Sequence, residues 1–202
     1  MKILIVSEGK HELGEEGRQG ALQILVHRLL GREQDIEFET DRVSNQKVHA
    51  FHGRKRGYFK RAIRWLLEAR KRRVNGLVFL IDQDRDTERH EQLQRAQEWR
   101  EPGDGFPRAM GVAVLRFDAW MLADETALNK VLQLQVQTQK DPEVIRDPKD
   151  ACASLLEQSA LDLTQTAMYA ELANQLDILV LESRCPAGFA PFSRRVRSIL
   201  AP

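Results

Sequence analysis

The sequence lacks any apolar run approaching the roughly 18 residues that a membrane helix needs, so nothing in it is expected to span a bilayer. Cysteine is scarce. Cys152 and Cys185 lack the spacing of a metal site and read as buried small hydrophobes. With 12 glycines and 7 prolines in 202 residues, 42% of them hydrophobic, the chain is neither fibrous nor wholly disordered, and it can bury one good core. The apolar stretch at residues 3–6 is too short for a signal-peptide core and runs directly into charge, so the expected setting is a reducing cytoplasm in which both thiols persist. A Gly-x-x-x-x-Gly-Lys-Ser/Thr loop is also missing, which excludes a P-loop ATPase.

An excess of charge of one sign is lacking overall, at a net +1, but the distribution is uneven. Residues 54–73 hold ten Lys or Arg against one acid, Glu68, whereas carboxylates gather at 8–16 and 82–91. That polarity points to an anionic partner at one surface and a cation-binding pocket at another.

Residues 2–7 form a short apolar run typical of a buried parallel strand. A helix is expected over 17–30, with Ala21, Leu22, Leu25 and Leu29 on one face and Gly31 after its end. A weaker strand follows at 36–43, then a helix at 58–72 with Phe59, Ile63, Leu66 and Leu67 inward. Residues 76–81 are apolar throughout and predict a central strand. A polar helix at 87–100, a loop at 101–107 and a fourth strand at 110–117 complete the alternation. Only helical patterns come after that, at about 118–130, 149–158, 164–182 and 189–200. Strands alternating with helices imply one α/β domain over 1–130, with about four parallel strands flanked by helices, and a helical extension over 131–202 packed on it.

In a parallel α/β sheet, function collects at the carboxyl ends of the strands. Three expected strand ends carry acids: Glu8 and Glu12; Asp82, Asp84 and Asp86; and Asp118. Gly9 lets the chain turn off the first strand, and a helix starting near Lys10 would bring Glu12 back toward Glu8. Asp82 and Asp84 point to one side if the strand continues through them. Two carboxylates about 4 Å apart repel by roughly 4 kcal/mol at an effective dielectric near 20. A hard divalent ion removes that cost, and oxygen-only ligands favour Mg²⁺ or Mn²⁺.

Two acidic motifs are excluded by residues in place. A calcium loop starting at Asp82 needs Gly at its sixth position and Glu at its twelfth, which are Thr87 and Leu93. An aspartyl phosphatase motif would carry Thr or Val where Asp86 stands.

The segments Ile-Val-Ser-Glu8-Gly9-Lys-His-Glu12 and Phe-Leu-Ile-Asp82-Gln-Asp84-Arg-Asp86 resemble a Toprim domain, and the Glu-Gly-x-x-Glu form is similar to the overcoming-lysogenization-defect nucleases. Phe117-Asp118-Ala119-Trp120-Met-Leu-Ala-Asp124 and the tail Arg184 to Phe192 are similar to small stand-alone Toprim proteins. The resemblance implies a Rossmann-like fold and two-metal hydrolysis of phosphodiesters. It makes Glu8 a metal ligand and general acid/base, and Glu12, Asp82 and Asp84 metal ligands. Asp86 becomes an outer-shell group, and Lys10 the nearest cation to stabilise a phosphate. The family pattern has Glu where Asp118 stands, which makes Asp118 a metal ligand one methylene shorter than the pattern's. The resemblance also implies a partner ATPase and a role in phage defence or DNA maintenance.

The basic segment around Arg54, Lys55, Arg56, Lys60, Arg61 and Arg64 joins cations with Tyr58 and Phe59, as contact with nucleic-acid phosphates requires. Lys60, Arg61 and Arg64 are expected on one exposed helical face. Arg194, Arg195 and Arg197 form a smaller basic group. Trp65 and Trp120 read as core, Trp99 as partly buried, and His27 as packed rather than a ligand. The leading expectation is a Mg²⁺- or Mn²⁺-dependent nuclease acting on nucleic acid, DNA before RNA. The alternatives are a catalytically weak Toprim-shaped nucleic-acid-binding subunit, and a nucleotidyl-transfer enzyme using the same pocket. Oligomeric state is left open.

Overall fold

A computed structural model describes residues 1–15, 17–31, 33–45, 47–48, 57–100 and 105–201. Strand β1 (Lys2–Ser7) is apolar on both sides because both sides are covered: Ile3 and Ile5 enter one core cluster, Leu4 and Val6 the other. A short helix α1 (Lys10–Leu13), a small hairpin of β2 (Gly14–Glu15) and β3 (Arg18–Gln19), and helix α2 (Ala21–Leu30) follow. The chain continues as β4 (Glu37–Arg42), α3 (Tyr58–Lys71), β5 (Gly76–Asp82), α4 (Glu88–Glu98) and β6 (Arg108–Ala113). It ends in helices α5 (Asp118–Met121), α6 (Glu125–Leu132), α7 (Pro148–Gln158), α8 (Gln165–Gln175), α9 (Ile178–Arg184) and α10 (Phe189–Arg197), with a 3-10 turn at Pro142–Val144.

The four longer strands form one parallel sheet in the order β4-β1-β5-β6, so the expected α/β class holds and the most apolar strands, β1 and β5, lie inside. Helices α3 and α4 cover one face through Trp65, Leu66 and Leu93. The other face is closed by α2 and α8 with Phe189 and Phe192 of α10, around a buried Trp120. Truncating either buried tryptophan would remove roughly 3–5 kcal/mol of stability. Trp99 is half-buried, and Cys152 and Cys185 are buried free thiols. His27 packs edge-on to Phe38, its Nε2 lying 3.2 Å from the Gln34 carbonyl. Among the described residues, no helix is long and apolar enough to cross a membrane.

The differences from the sequence-based boundaries have local causes. Gly14 (φ 80°) and Gly17 (φ 81°) take left-handed conformations that shape the hairpin, so α2 starts at Ala21 and not at residue 17. Strand β6 stops at Ala113 because Leu115 is left-handed (φ 55°), a conformation that no strand carries. The helix expected over 118–130 is split where Asp124 accepts from the Thr126 and Ala127 amides and starts α6. That over 164–182 is split where Asp177 caps α9 in the same way. Leu67 is 47% exposed, not inward; the buried residues of α3 are Ala62, Trp65, Leu66 and Ala69.

Candidate functional site

The chain leaves β1 toward β4 on one side and later passes from β5 to β6 on the other. The crevice beyond the carboxyl ends of β1 and β5 is therefore the switch point at which such sheets bind ligands. Glu8 follows β1 and Asp82 ends β5. The Asp82 amide donates to Glu8 Oε2 at 3.1 Å, and Tyr58 Oη donates to Glu8 Oε1 at 2.8 Å. Tyr58 is itself held between guanidiniums, with Arg89 at 4.6 Å and Arg61 at 4.9 Å from its ring centre. Burial, with the Glu8 charge behind it, pushes the Tyr58 phenol up to about 12, so it remains a donor to Glu8.

Glu12 lies on the other side. Its carboxylate folds back over the chain, accepting from Ser7 Oγ at 3.3 Å and from the Gly9 amide. A Cβ at Gly9 would stand 2.3 Å from a Glu12 oxygen, so this packing requires glycine. Burial, then repulsion from Asp82, raises the Glu12 carboxyl to about 8. Asp82 is raised to about 7 by burial and by the charges of Glu8, Asp118 and Asp84, against an opposing 2.8 Å bond from the Phe117 amide. Glu12 thus folds back over the residues that flank Glu8 and feels the charges of Asp82 and Asp118.

Asp118, the first residue of α5, is buried and accepts a hydrogen bond from Tyr169 of α8. Although shorter than Glu, it reaches the cluster well enough for its charge to raise both Glu12 and Asp82. Close by, His11 Nδ1 lies 2.8 Å from Thr166 Oγ1. The 131–202 helices therefore supply Tyr169 and Thr166 to the site.

Asp84 does not point with Asp82. Strand β5 stops at Asp82, and Asp84 adopts φ 51°, its amide bonded to the Leu115 carbonyl at 2.8 Å. Its carboxylate turns to Arg89 at 2.9 Å, with Arg116 at 3.9 Å. Arg89 also lies 3.6 Å from Asp86 and 3.9 Å from Glu8, and donates to the Asp82 carbonyl. Asp86 bonds the Glu88 amide at the start of α4, on the outer side of Arg89. Lys10 is exposed and pairs loosely with Glu15 at 3.9 Å, outside the cluster.

Glu8, Glu12, Asp82, Asp84 and Asp118 are thus gathered within one electrostatic neighbourhood, each with its own partner. Among the described residues no three acidic, imidazole or thiol side chains stand at distances that hold a metal ion. In donor chemistry the set nonetheless fits a hard cation. It offers only oxygens, and burial followed by mutual repulsion raises two of its carboxyls well above the ordinary range. Sequence reasoning missed Arg89 and Tyr169, and assigned Tyr58 to the basic segment instead of to Glu8. The Asp86–Arg89 spacing of i, i+3 was a usable signal for Arg89, whereas Tyr58 and Tyr169 reach the site through the fold alone.

Of the basic segment, Arg54, Lys55 and Arg56 lie outside the described residues. Lys60 is exposed and lines a 460 Å³ cavity with Phe59 and Arg95, between α3 and α4. Arg61 and Arg64 are half-buried, contrary to the expected solvent face; Arg61 is spent on Tyr58. In α10, Arg195 bonds the Met110 carbonyl and Arg197 pairs with Glu182.

A family model described as Domain of unknown function (DUF4276) matches residues 15–197, a span that holds Asp82, Asp84, Asp86 and Asp118 and starts after Glu8, Lys10 and Glu12. No curated protein and no solved structure matches the chain.

Proposed function

The chain belongs to the DUF4276 family, and we propose that it is a Toprim-like, metal-dependent nuclease that hydrolyses nucleic-acid phosphodiesters, DNA before RNA. The observation that carries this reading is the convergence of acids from three strand ends on the switch-point crevice, with Glu12 and Asp82 driven up to about 8 and 7. Glu8, Glu12, Asp82 and Asp118 would hold Mg²⁺ or Mn²⁺. When bound, such an ion supplies Lewis acidity and neutralises phosphate charge.

The chain's own groups have separable tasks. Tyr58 and the Asp82 amide fix one oxygen each of Glu8 and leave lone pairs free for a proton on the incoming water. Arg89 sets a fixed positive charge beside Glu8 and Asp84, where negative charge grows on a phosphate in transit. Lys10, exposed and only loosely paired with Glu15, can swing toward the substrate. Cutting of supercoiled plasmid, single-stranded DNA and structured RNA with Mg²⁺, Mn²⁺ or EDTA is the direct test. Metal-dependent cleavage lost in Glu8→Ala/Asp82→Ala supports the reading, and no cleavage together with no Mn²⁺ binding by calorimetry ends it.

A second reading is favoured by one observation. Arg89 already sets one positive charge against Asp84, Asp86 and Glu8, which offsets part of their repulsion without a metal. In that case the chain is a catalytically weak nucleic-acid-binding subunit beside a partner ATPase. It would bind nucleic acid without cutting it, even with metal bound.

A further inference from the structure

Beside the carboxylates the charge changes sign. Arg85, Arg116 and Arg146 line a pocket of about 330 Å³ whose wall also includes Asp84, Leu115 and Asp147. The three arginines come from three separate connections, after β5, after β6 and before α7, so no single helix face explains their meeting. Asp147 is committed elsewhere, and Asp84 divides between Arg89 and the wall's own Arg116, 3.9 Å away. Asp84 pairs with Arg89 at 2.9 Å, and Asp147 caps α7 by accepting from the Asp150 amide at 3.3 Å. Arg85 and Arg146 are exposed, and neither makes an ion pair among the described residues.

The backbone holds two of these cations side by side. Asp84 (φ 51°) and Leu115 (φ 55°) are both left-handed without being glycine, and the Asp84 amide bonds the Leu115 carbonyl at 2.8 Å. Arg85 and Arg116 are the next residues along each chain. Such conformations persist where surrounding structure enforces them, and they gather at binding sites. Three guanidiniums against two carboxylates leave the wall net positive, which suits an anion with several oxygens, and arginine's planar fork matches phosphate in particular.

We propose that this pocket is a phosphate subsite, and that it seats a backbone phosphate of the nucleic acid next to the one presented to Glu8 and Asp82. Asp84 belongs to both the pocket and the carboxylate cluster, which makes the two sites contiguous. The source of the phosphate rests on the nucleolytic reading; the anion chemistry of the pocket does not.

The test compares the wild type with Arg85→Gln/Arg146→Gln in EDTA, so that no metal is involved. The probes are a fluorescein-labelled oligodeoxythymidylate of about 12 nucleotides, read by anisotropy, and inorganic pyrophosphate, read by calorimetry. The expected result is an affinity for the oligonucleotide lower by about tenfold and a salt slope smaller by about 1.4, two contacts' worth for a single strand. Pyrophosphate binding should disappear with an unchanged melting curve, since both side chains are exposed. Affinity and slope equal to wild type overturn the subsite, even if Glu8→Ala abolishes cutting and the nucleolytic reading stands. Pyrophosphate binding that the variant loses, with no oligonucleotide binding by either protein, keeps the pocket and removes the nucleic acid.

Discussion

Glu12 and Asp82 hold protons that their unfolded counterparts would release, and this fixes the sign of their pH dependence. Their folded values, about 8 and about 7, lie above the ordinary 4.5 and 3.8. The stability they contribute is complete below those ordinary values and is lost as pH rises through 7 to 8. In EDTA the melting temperature is therefore expected to fall between pH 5 and 8, by on the order of 5 °C, and Glu12→Gln should flatten the curve. A melting temperature that rises over the same interval would contradict the burial argument. Mn²⁺ affinity should climb with pH through the same range, because binding must expel those protons. Arg89 acts in the opposite direction. Arg89→Gln removes a cation 3.9 Å from Glu8 and 2.9 Å from Asp84. Calorimetry should then show Mn²⁺ binding tighter by about tenfold, while the metal-free protein melts earlier.

At the level of elements, α1 is short but its placement sets the site. Four residues make one turn, too few to be stable alone, so α1 holds its shape through the packing of Glu12 and Leu13. Gly9 at its start leaves room for the Glu12 carboxylate, and its φ of −99° is open to any residue. Gly9→Ala should therefore leave the fold intact in far-UV circular dichroism and expel Glu12, lowering Mn²⁺ affinity by about 10–100-fold. Unchanged affinity would show that Glu12 is not a ligand. The α3–β1 relation is similar: Tyr58, the first residue of α3, holds Glu8. Tyr58→Phe keeps the ring between its two arginines and removes only the bond to Glu8. Cleavage should fall roughly tenfold or more, with little change in substrate binding.

For the whole molecule, the segment over 131–202 is inseparable from the sheet. Met168, Tyr169, Leu172, Phe189 and Phe192 belong to the same apolar cluster as Ile3, Leu25 and Trp120. A fragment ending at residue 130 would expose that face, so it is expected to lack near-UV circular dichroism and a cooperative melt. A fragment that melts cooperatively would establish an independent sheet domain. The extension also carries Tyr169 to Asp118, which ties the integrity of the site to that of the whole core.

The sequence by itself determined the α/β alternation, the inner position of residues 76–81 and the gathering of acids at strand ends. Each depends on short-range periodicity: an apolar run buried on both faces, followed by a polar turn. It also determined the core roles of Trp65 and Trp120. Only the tertiary structure decided which acids face one another. The left-handed turn at Asp84 breaks the strand phase that would have aligned it with Asp82, and Glu12 folds back over Gly9 into the field of Asp82 and Asp118. Tyr58, Tyr169 and the trio Arg85, Arg116 and Arg146 were illegible as a site. Their neighbours are assigned by the sheet order and by loops distant in sequence, and no local pattern encodes those contacts.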